Sequence, residues 1–185
     1  SSKDARIAAD LAETTGAVIA DAERLGTYEC IPEPDIFDIE YWSLEQAKLS
    51  AAAEKPLARR IVVVTGGASG IGAAAVQAFA REGAEVAVFD RDVTKVKGLG
   101  IACDVTDPAS VRAAFDKVAA TYGGVDIVVS NAGAAWQGRI GDVDDATLRK
   151  SFELNFWAHQ SVAQNAVRIM RTQGLGGCLL FNTSK

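Results

Sequence analysis

One stretch constrains the fold more than any other: RIVVVTGGASGIG, residues 60–72. Ile61, Val62, Val63 and Val64 are all β-branched, and the run is too short for a helix. No polar residue alternates with them, so the strand they predict is covered on both faces. It breaks at Thr65 into two glycines, and residues 70–82 then carry a helical pattern closed by Gly83. A strand that passes through a glycine-rich loop into a helix is a phosphate-binding arrangement. The glycines let backbone approach a pyrophosphate, and the helix N-terminus offers free N–H groups and a positive dipole end. A tight turn alone would use the same glycines, so the rest of the chain has to decide.

The alternation continues. VAVFD (86–90), GIACD (100–104), VDIVVS (125–130) and CLLF (178–181) read as further strands. Asp107-Pro108 supplies an N-cap and a first-turn proline for a helix with Val111, Phe115 and Val118 as its stripe. Gly123-Gly124 ends it. Asp145 to Thr172 reads as one long helix with Leu148, Phe152, Val162, Ala166 and Ile169 on one side. Strands alternating with helices predict an α/β fold, a Rossmann-like doubly wound parallel sheet of five strands. One connection breaks the pattern. Only Arg91 to Leu99 joins the second strand to the third, where a parallel crossover is expected to need a dozen residues or more. Either this link is stripped down or residues are missing here; the expectation leans to the second, with the C-terminal part of the domain also absent after Lys185.

Residues 1–59 have another texture and are read as a helical arm preceding a dinucleotide-binding domain at 60–185. Ile7, Leu11, Val18, Ile19, Ala22 and Leu25 recur at helical spacing within residues 4–25. In IPEPDIFDIEYW the prolines and acids are expected to break the helix, while Ile36, Phe37, Ile39, Tyr41 and Trp42 call for burial against something. A second short helix is expected over residues 43–54, ended by Pro56. Net charge is −5 over 185 residues, which argues against a nucleic-acid surface. No apolar run approaches the ~20 residues that span a bilayer, and the N-terminus lacks a signal peptide's apolar core. Three scattered cysteines suit a reducing cytoplasm and form no metal pattern, so no metal site is expected.

Asp90, at the tip of the second strand, can accept hydrogen bonds from both hydroxyls of an adenosine ribose and would repel a 2′-phosphate. That favours NAD over NADP. Arg91 complicates this, since a guanidinium can pair with such a phosphate. The spacing Thr65-Gly66, Gly70-Ile71-Gly72 resembles the fingerprint of the short-chain dehydrogenase/reductase family, and the resemblance continues in order from residue 60 to the end. It implies cofactor contacts from Gly66, Ala68, Ser69, Gly70, Ile71 and Gly72, with Asp90 and Arg91. It makes Asp104-Val105 an adenine-contacting pair and Asn131-Ala132-Gly133 the motif that supports the sheet and borders the cofactor. Asn155, a poor helix former inside a helical pattern, matches the family's catalytic asparagine. Ser184 matches its catalytic serine, which binds the substrate oxygen. The family's proton-transferring tyrosine and the lysine four residues beyond have no counterpart. Tyr28, Tyr41 and Tyr122 are followed at that spacing by Pro32, Glu45 and Asp126. The general acid–base is therefore expected outside this sequence.

The arm narrows the resemblance. DARIAADLAE, FDIEYWSLEQAKL and AEKPLA are similar to the junction in bifunctional rhamnulose-1-phosphate aldolase/alcohol dehydrogenases. This implies a fused aldolase domain N-terminal to the arm and a small alcohol or aldehyde substrate, lactaldehyde in rhamnose catabolism being the candidate. His159, the lone histidine, is read as a packing residue, with Trp42, Trp136 and Trp157 as anchors of the arm, the site mouth and the long helix. A homo-oligomer is expected, with the arm against the dehydrogenase body. The alternative is a non-catalytic dinucleotide-sensing module. Such a module has no use for Asn155 and Ser184.

Overall fold

The computed structural model describes residues 2–44 and 55–183. The chain divides at Lys55/Pro56 into two compact units.

The unit beginning at Pro56 holds one sheet. Its strands are β1 (Ile61–Thr65), β2 (Glu85–Asp90), β3 (Leu99–Ala102), β4 (Ile127–Ser130) and β5 (Cys178–Phe181), in the order β3-β2-β1-β4-β5. Every pairing is parallel. Strand residues point alternately to the two faces, and β1 shows why its run must be apolar throughout. Val63 joins a core with Ala87, Phe89, Phe115 and Val162, while Val62 and Val64 join a second core with Val129, Val76 and Phe79. Helix α3 (Gly70–Arg81) covers the second core, and helix α4 (Pro108–Tyr122) covers the first. The Phe89 and Phe115 rings meet edge to face at 5.1 Å. Helix α4 starts as expected: Asp107 accepts the Ala109 N–H at 2.9 Å, Pro108 follows, and Gly123 ends the helix with φ 88°.

The structure departs from the sequence expectations in several places. The third strand is Leu99–Ala102, not 100–104. Cys103 still donates its N–H to the Asp90 carbonyl, but the Asp104 N–H turns to Ser110 Oγ at 3.1 Å, which takes Asp104 off the ladder. The fourth strand begins at Ile127 because Gln173 captures Val125 instead, accepting its N–H at 2.7 Å and donating to its carbonyl at 3.1 Å.

The link between β2 and β3 contains no crossover helix. The register Ala87↔Leu99 requires the chain to step back along β2 by about 10 Å and sideways by about 5 Å. Eight residues, 91–98, reach up to ~28 Å. They fold as turns: Asp92 accepts from the Thr94 N–H and hydroxyl, and Gly98 sits at φ 95°.

The long helix is interrupted. Helix α5 (Asp145–Phe152) runs into a π turn (Glu153–Trp157) and then into helix α6 (Ala158–Gln173). The Ala158 N–H reaches back five residues to the Glu153 carbonyl. This widened turn rotates the two halves relative to one another. Val162, Ala166 and Ile169 stay buried, while Leu148 and Phe152, expected on the same stripe, are exposed.

In the other unit, α1 spans Ser2–Leu25 and α2 spans Glu33–Glu40. The prolines start α2 rather than breaking a helix. Pro32 is extended at the cap and Pro34 lies in the first turn, where an N–H has no intrahelical partner to lose. Glu33 and Asp35 complement the positive helix end. Ile36, Phe37, Ile39, Tyr41 and Trp42 are exposed in this unit. Two turns of helix with apolar groups on several sides cannot enclose them; Phe37 and Tyr41 only stack on each other at 4.5 Å. Of the helix expected over 43–54, only Ser43 and Leu44 lie within the described residues, and both are helical.

Candidate active site

The parallel register brings Thr65, Asp90, Ala102 and Ser130 to one edge of the sheet, the carboxyl ends of the strands. A cavity of about 920 Å³ opens there. Ligands of open α/β sheets bind at this edge.

The glycine loop shapes one wall. Gly66 has φ 63°, and a Cβ there would stand 3.0 Å from Ala132 Cα. A Cβ on Gly72 would lie 2.1 Å from the Gly66 carbonyl oxygen and 2.7 Å from the Asn131 amide. Only glycine lets α3 start this close to the loop. Ser69, at the N-cap of α3, makes no side-chain capping bond, so the first-turn N–H groups are available to an anion.

At the β2–β3 end, Asp90 accepts the Ala68 N–H at 3.1 Å and the Asp92 N–H at 3.3 Å. The carboxylate is thereby tied to the glycine loop while it lines the cavity. Asp104 accepts the Thr106 hydroxyl at 2.7 Å and its N–H at 2.9 Å. These bonds hold its pKa below the ordinary carboxylate value, and the charge of Arg91 adds to the effect. Arg91 and Val105 line the same space. Cys103 beside them is buried, and burial pushes its thiol pKa up, which makes it a poor nucleophile.

At the β4–β5 end, Thr65 Oγ1 accepts the N–H groups of both Asn131 and Ala132, at 2.8 and 3.0 Å. The Asn131 amide donates back to the Thr65 carbonyl at 3.0 Å and accepts from Asn182 at 2.8 Å. One side chain thus fastens β1, β4 and the tip of β5. Asn155, inside the π turn, is clamped to the backbone of one residue: its amide donates to the Ala134 carbonyl at 2.8 Å and accepts the Ala134 N–H at 3.1 Å. His159 is buried, with Nδ1 2.6 Å from Ser130 Oγ.

Of the site residues expected from sequence, Gly66, Ser69, Ile71, Asp90, Arg91, Asp104, Val105, Asn131, Ala132, Gly133 and Asn155 line the one cavity. Ala68, Gly70 and Gly72 do not line it; Ala68 holds Asp90, and Gly72 lies against the Gly66 peptide. Ser184 lies outside the described residues. Trp136, expected near the site mouth, lines the cavity. Sequence reasoning missed Thr65 and Asn182, which tie the strand ends to Asn131, and Lys150 and Glu153, which line the cavity. A hydroxyl ending an all-apolar strand was the signal for Thr65. Among the described residues no cluster of His, Cys, Asp and Glu is set to hold a metal ion, and no helix is long and apolar enough to cross a membrane.

A family model for short chain dehydrogenases matches residues 60–185. The chain belongs to the short-chain dehydrogenase family. A second model, the second domain of class II aldolases, matches residues 1–49. The chain is 35% identical to an uncharacterized oxidoreductase of Bacillus subtilis, YuxG, across 91% of its own length and 27% of the relative's. It is 38% identical to (+)-borneol dehydrogenase 1 of Salvia officinalis, across 73% of itself and 56% of that enzyme. A crystal structure of a short-chain type dehydrogenase/reductase from Mycobacterium marinum superposes with a TM-score of 0.66 at 33% identity, covering 68% of this chain and 56% of that one. The chain thus spans about half the length of the latter two relatives. The short-chain dehydrogenase fold accounts for the parallel sheet and for the cleft at its carboxyl edge.

Proposed function

We propose that residues 60–185 form the dinucleotide-binding part of an NAD-dependent short-chain dehydrogenase, and that residues 1–59 join it to an aldolase domain. The observation that carries the reading is the tie between Asp90 and the glycine loop through the Ala68 N–H. It sets a carboxylate suited to ribose hydroxyls and an uncapped helix N-terminus on the same cavity. The residues fit the cofactor. The first turn of α3 would hold the pyrophosphate, Asp90 the adenosine ribose, Asp104 and Val105 the adenine, and Asn131 to Gly133 the nicotinamide side. A bound nicotinamide supplies the hydride acceptor or donor; the protein supplies position and protonation control. Ser184 would orient the substrate oxygen. The side chain of Asn155 is consumed by its clamp on Ala134, which leaves its main-chain carbonyl as the group to hold a relay water.

The substrate is proposed as a small alcohol or aldehyde. The aldolase match on residues 1–49 supports lactaldehyde, the fragment an aldolase acting on rhamnulose 1-phosphate releases. A homo-oligomer in the cytoplasm completes the reading, and the exposed Phe156 and Trp157 support the oligomer. The test is turnover by the intact protein, followed through NADH absorbance with lactaldehyde and other short aldehydes and alcohols. NAD binding without turnover on any of them would leave only the sensing module; no binding would remove both readings.

A further inference from the structure

The buried pair Ser130–His159 has no part in the function proposed so far. Both residues are nearly sealed, at 3% and 7% exposure. Their 2.6 Å bond joins the last residue of β4 to the first turn of α6. Ser130 is also the register partner of Phe181, the last residue of β5. The ring of Phe181 meets the imidazole of His159 edge to face, with centroids 6.1 Å apart. One imidazole therefore fastens three elements at the carboxyl edge of the sheet. It lies one helical turn from Asn155 and touches the residue from which the chain runs on through Asn182 and Thr183 to Ser184. It also lines the cavity.

We infer that His159 is a positioning residue: held by Ser130 and packed on Phe181, it sets the spacing between the Asn155 turn and the end of β5 at Phe181. The inference rests on the dehydrogenase reading for its effect on turnover, but not for its effect on the tip. A polar bond suits this place better than an aliphatic contact because it has direction. Whichever atom donates, the imidazole plane is fixed relative to β4. Apolar packing alone would let the ring, and Phe181 with it, slide. Displacement of a reacting group by about 1 Å costs on the order of a hundredfold in rate, so a loosened tip is expected to cost turnover and not cofactor affinity.

The experiment uses the intact protein with Ser130→Ala, which removes the hydroxyl and leaves the packing. His159→Phe keeps a ring against Phe181 without the bond, and His159→Gln serves as a second variant should that ring fail to fit. The double variant Ser130→Ala/His159→Phe closes the cycle. Expected are a roughly tenfold fall in kcat for each single variant, a dinucleotide Kd changed by less than about twofold, and no further fall in the double variant. Hydrogen exchange in residues 178–184 is expected to quicken in every variant. Lowered melting temperatures with unchanged kcat and unchanged exchange at the tip would make the pair mere packing. Losses that multiply in the double variant, or that fall equally on Kd, would also overturn the inference. If the intact wild-type protein shows no turnover, the dehydrogenase reading falls, and exchange at the β5 tip alone decides this one.

Discussion

At the β2–β3 end of the cleft the polar groups are accessible carboxylates steadied by backbone: Asp90 by Ala68 and Asp92, Asp104 by Thr106. At the β4–β5 end they are hydroxyl, amide and imidazole groups paired with one another or with backbone: Thr65, Ser130 and His159, which are buried, and Asn131 and Asn155, which are half-buried. The first end resembles a recognition surface, where charge meets a ligand and each contact is separable. The second resembles a frame, where a buried polar group left without its partner costs more than the bond was worth. Substitutions at the first end should shift affinity and selectivity. At the second they should shift geometry, and with it turnover.

The glycine loop joins the two ends, so the largest effect is expected there. Gly72→Ala sets a methyl 2.1 Å from the Gly66 carbonyl, and no side chain can move aside to admit it. Either the loop or α3 must shift, and both ends lose their anchor. Dinucleotide binding is expected to fall at least about a hundredfold and stability by about 1–3 kcal/mol. Calorimetric titration and a denaturant melt read the two effects. Near-normal binding would show that the loop is not the pyrophosphate site. Next in size is Ser184→Ala in the intact protein, expected to lower kcat by about 10²–10³, the usual cost of removing one hydrogen-bond donor from a reacting oxygen. Dinucleotide affinity should hardly change. A kcat within twofold of wild type would move the catalytic serine elsewhere.

What the sequence made legible follows the same division. The glycine loop, the Asp90 tip and the Asp107-Pro108 cap are local signals, set by residues adjacent in the chain, and the structure places them as expected. The frame is non-local. Ser130 and His159 are 29 residues apart, and no pattern links a strand-end serine to a lone histidine. The π turn was hidden because Leu148, Phe152, Val162, Ala166 and Ile169 still follow a helical period when read straight through. One widened turn changes which face each half presents without changing the composition. The β2–β3 link departs from the crossover rule, which describes helical connections. Here an Asp92–Thr94 turn and a left-handed Gly98 bring the chain back within eight residues.

A smaller effect separates the two cofactors at the recognition end. Asp90→Ala removes the acceptor for the ribose hydroxyls and the charge that opposes a 2′-phosphate, while Arg91 remains beside the cavity. The NAD/NADP affinity ratio is expected to fall about tenfold, the equivalent of one charged hydrogen bond worth ~1.5 kcal/mol. Titrating both cofactors against the intact variant gives the ratio directly. An unchanged ratio would detach Asp90 from the ribose and remove the distinction between the two ends.

The smallest expected effect tests the frame through pH. Burial holds the imidazole of His159 below its ordinary pKa, near 6.5 in an unfolded chain. Between the depressed folded value and about 6.5, the unfolded state binds a proton that the native state refuses, so stability rises with pH across that window. Above it both states are neutral and the contribution is complete; as pH falls toward the folded value it is lost. The carboxylates with lowered pKa, Asp104 and Asp116 among them, act in a different window. Their contribution is present above the ordinary carboxylate range and disappears only as pH falls below about 4. Urea melts between about pH 5 and 7.5 therefore isolate the histidine. Wild-type protein should lose stability on the acid side of that range, and His159→Gln, which cannot titrate, should be flatter while starting lower. Identical slopes would mean that the imidazole is open to water and protonates freely. A freely protonated ring would not be the neutral, sealed member of the frame that distinguishes the β4–β5 end from the carboxylate end.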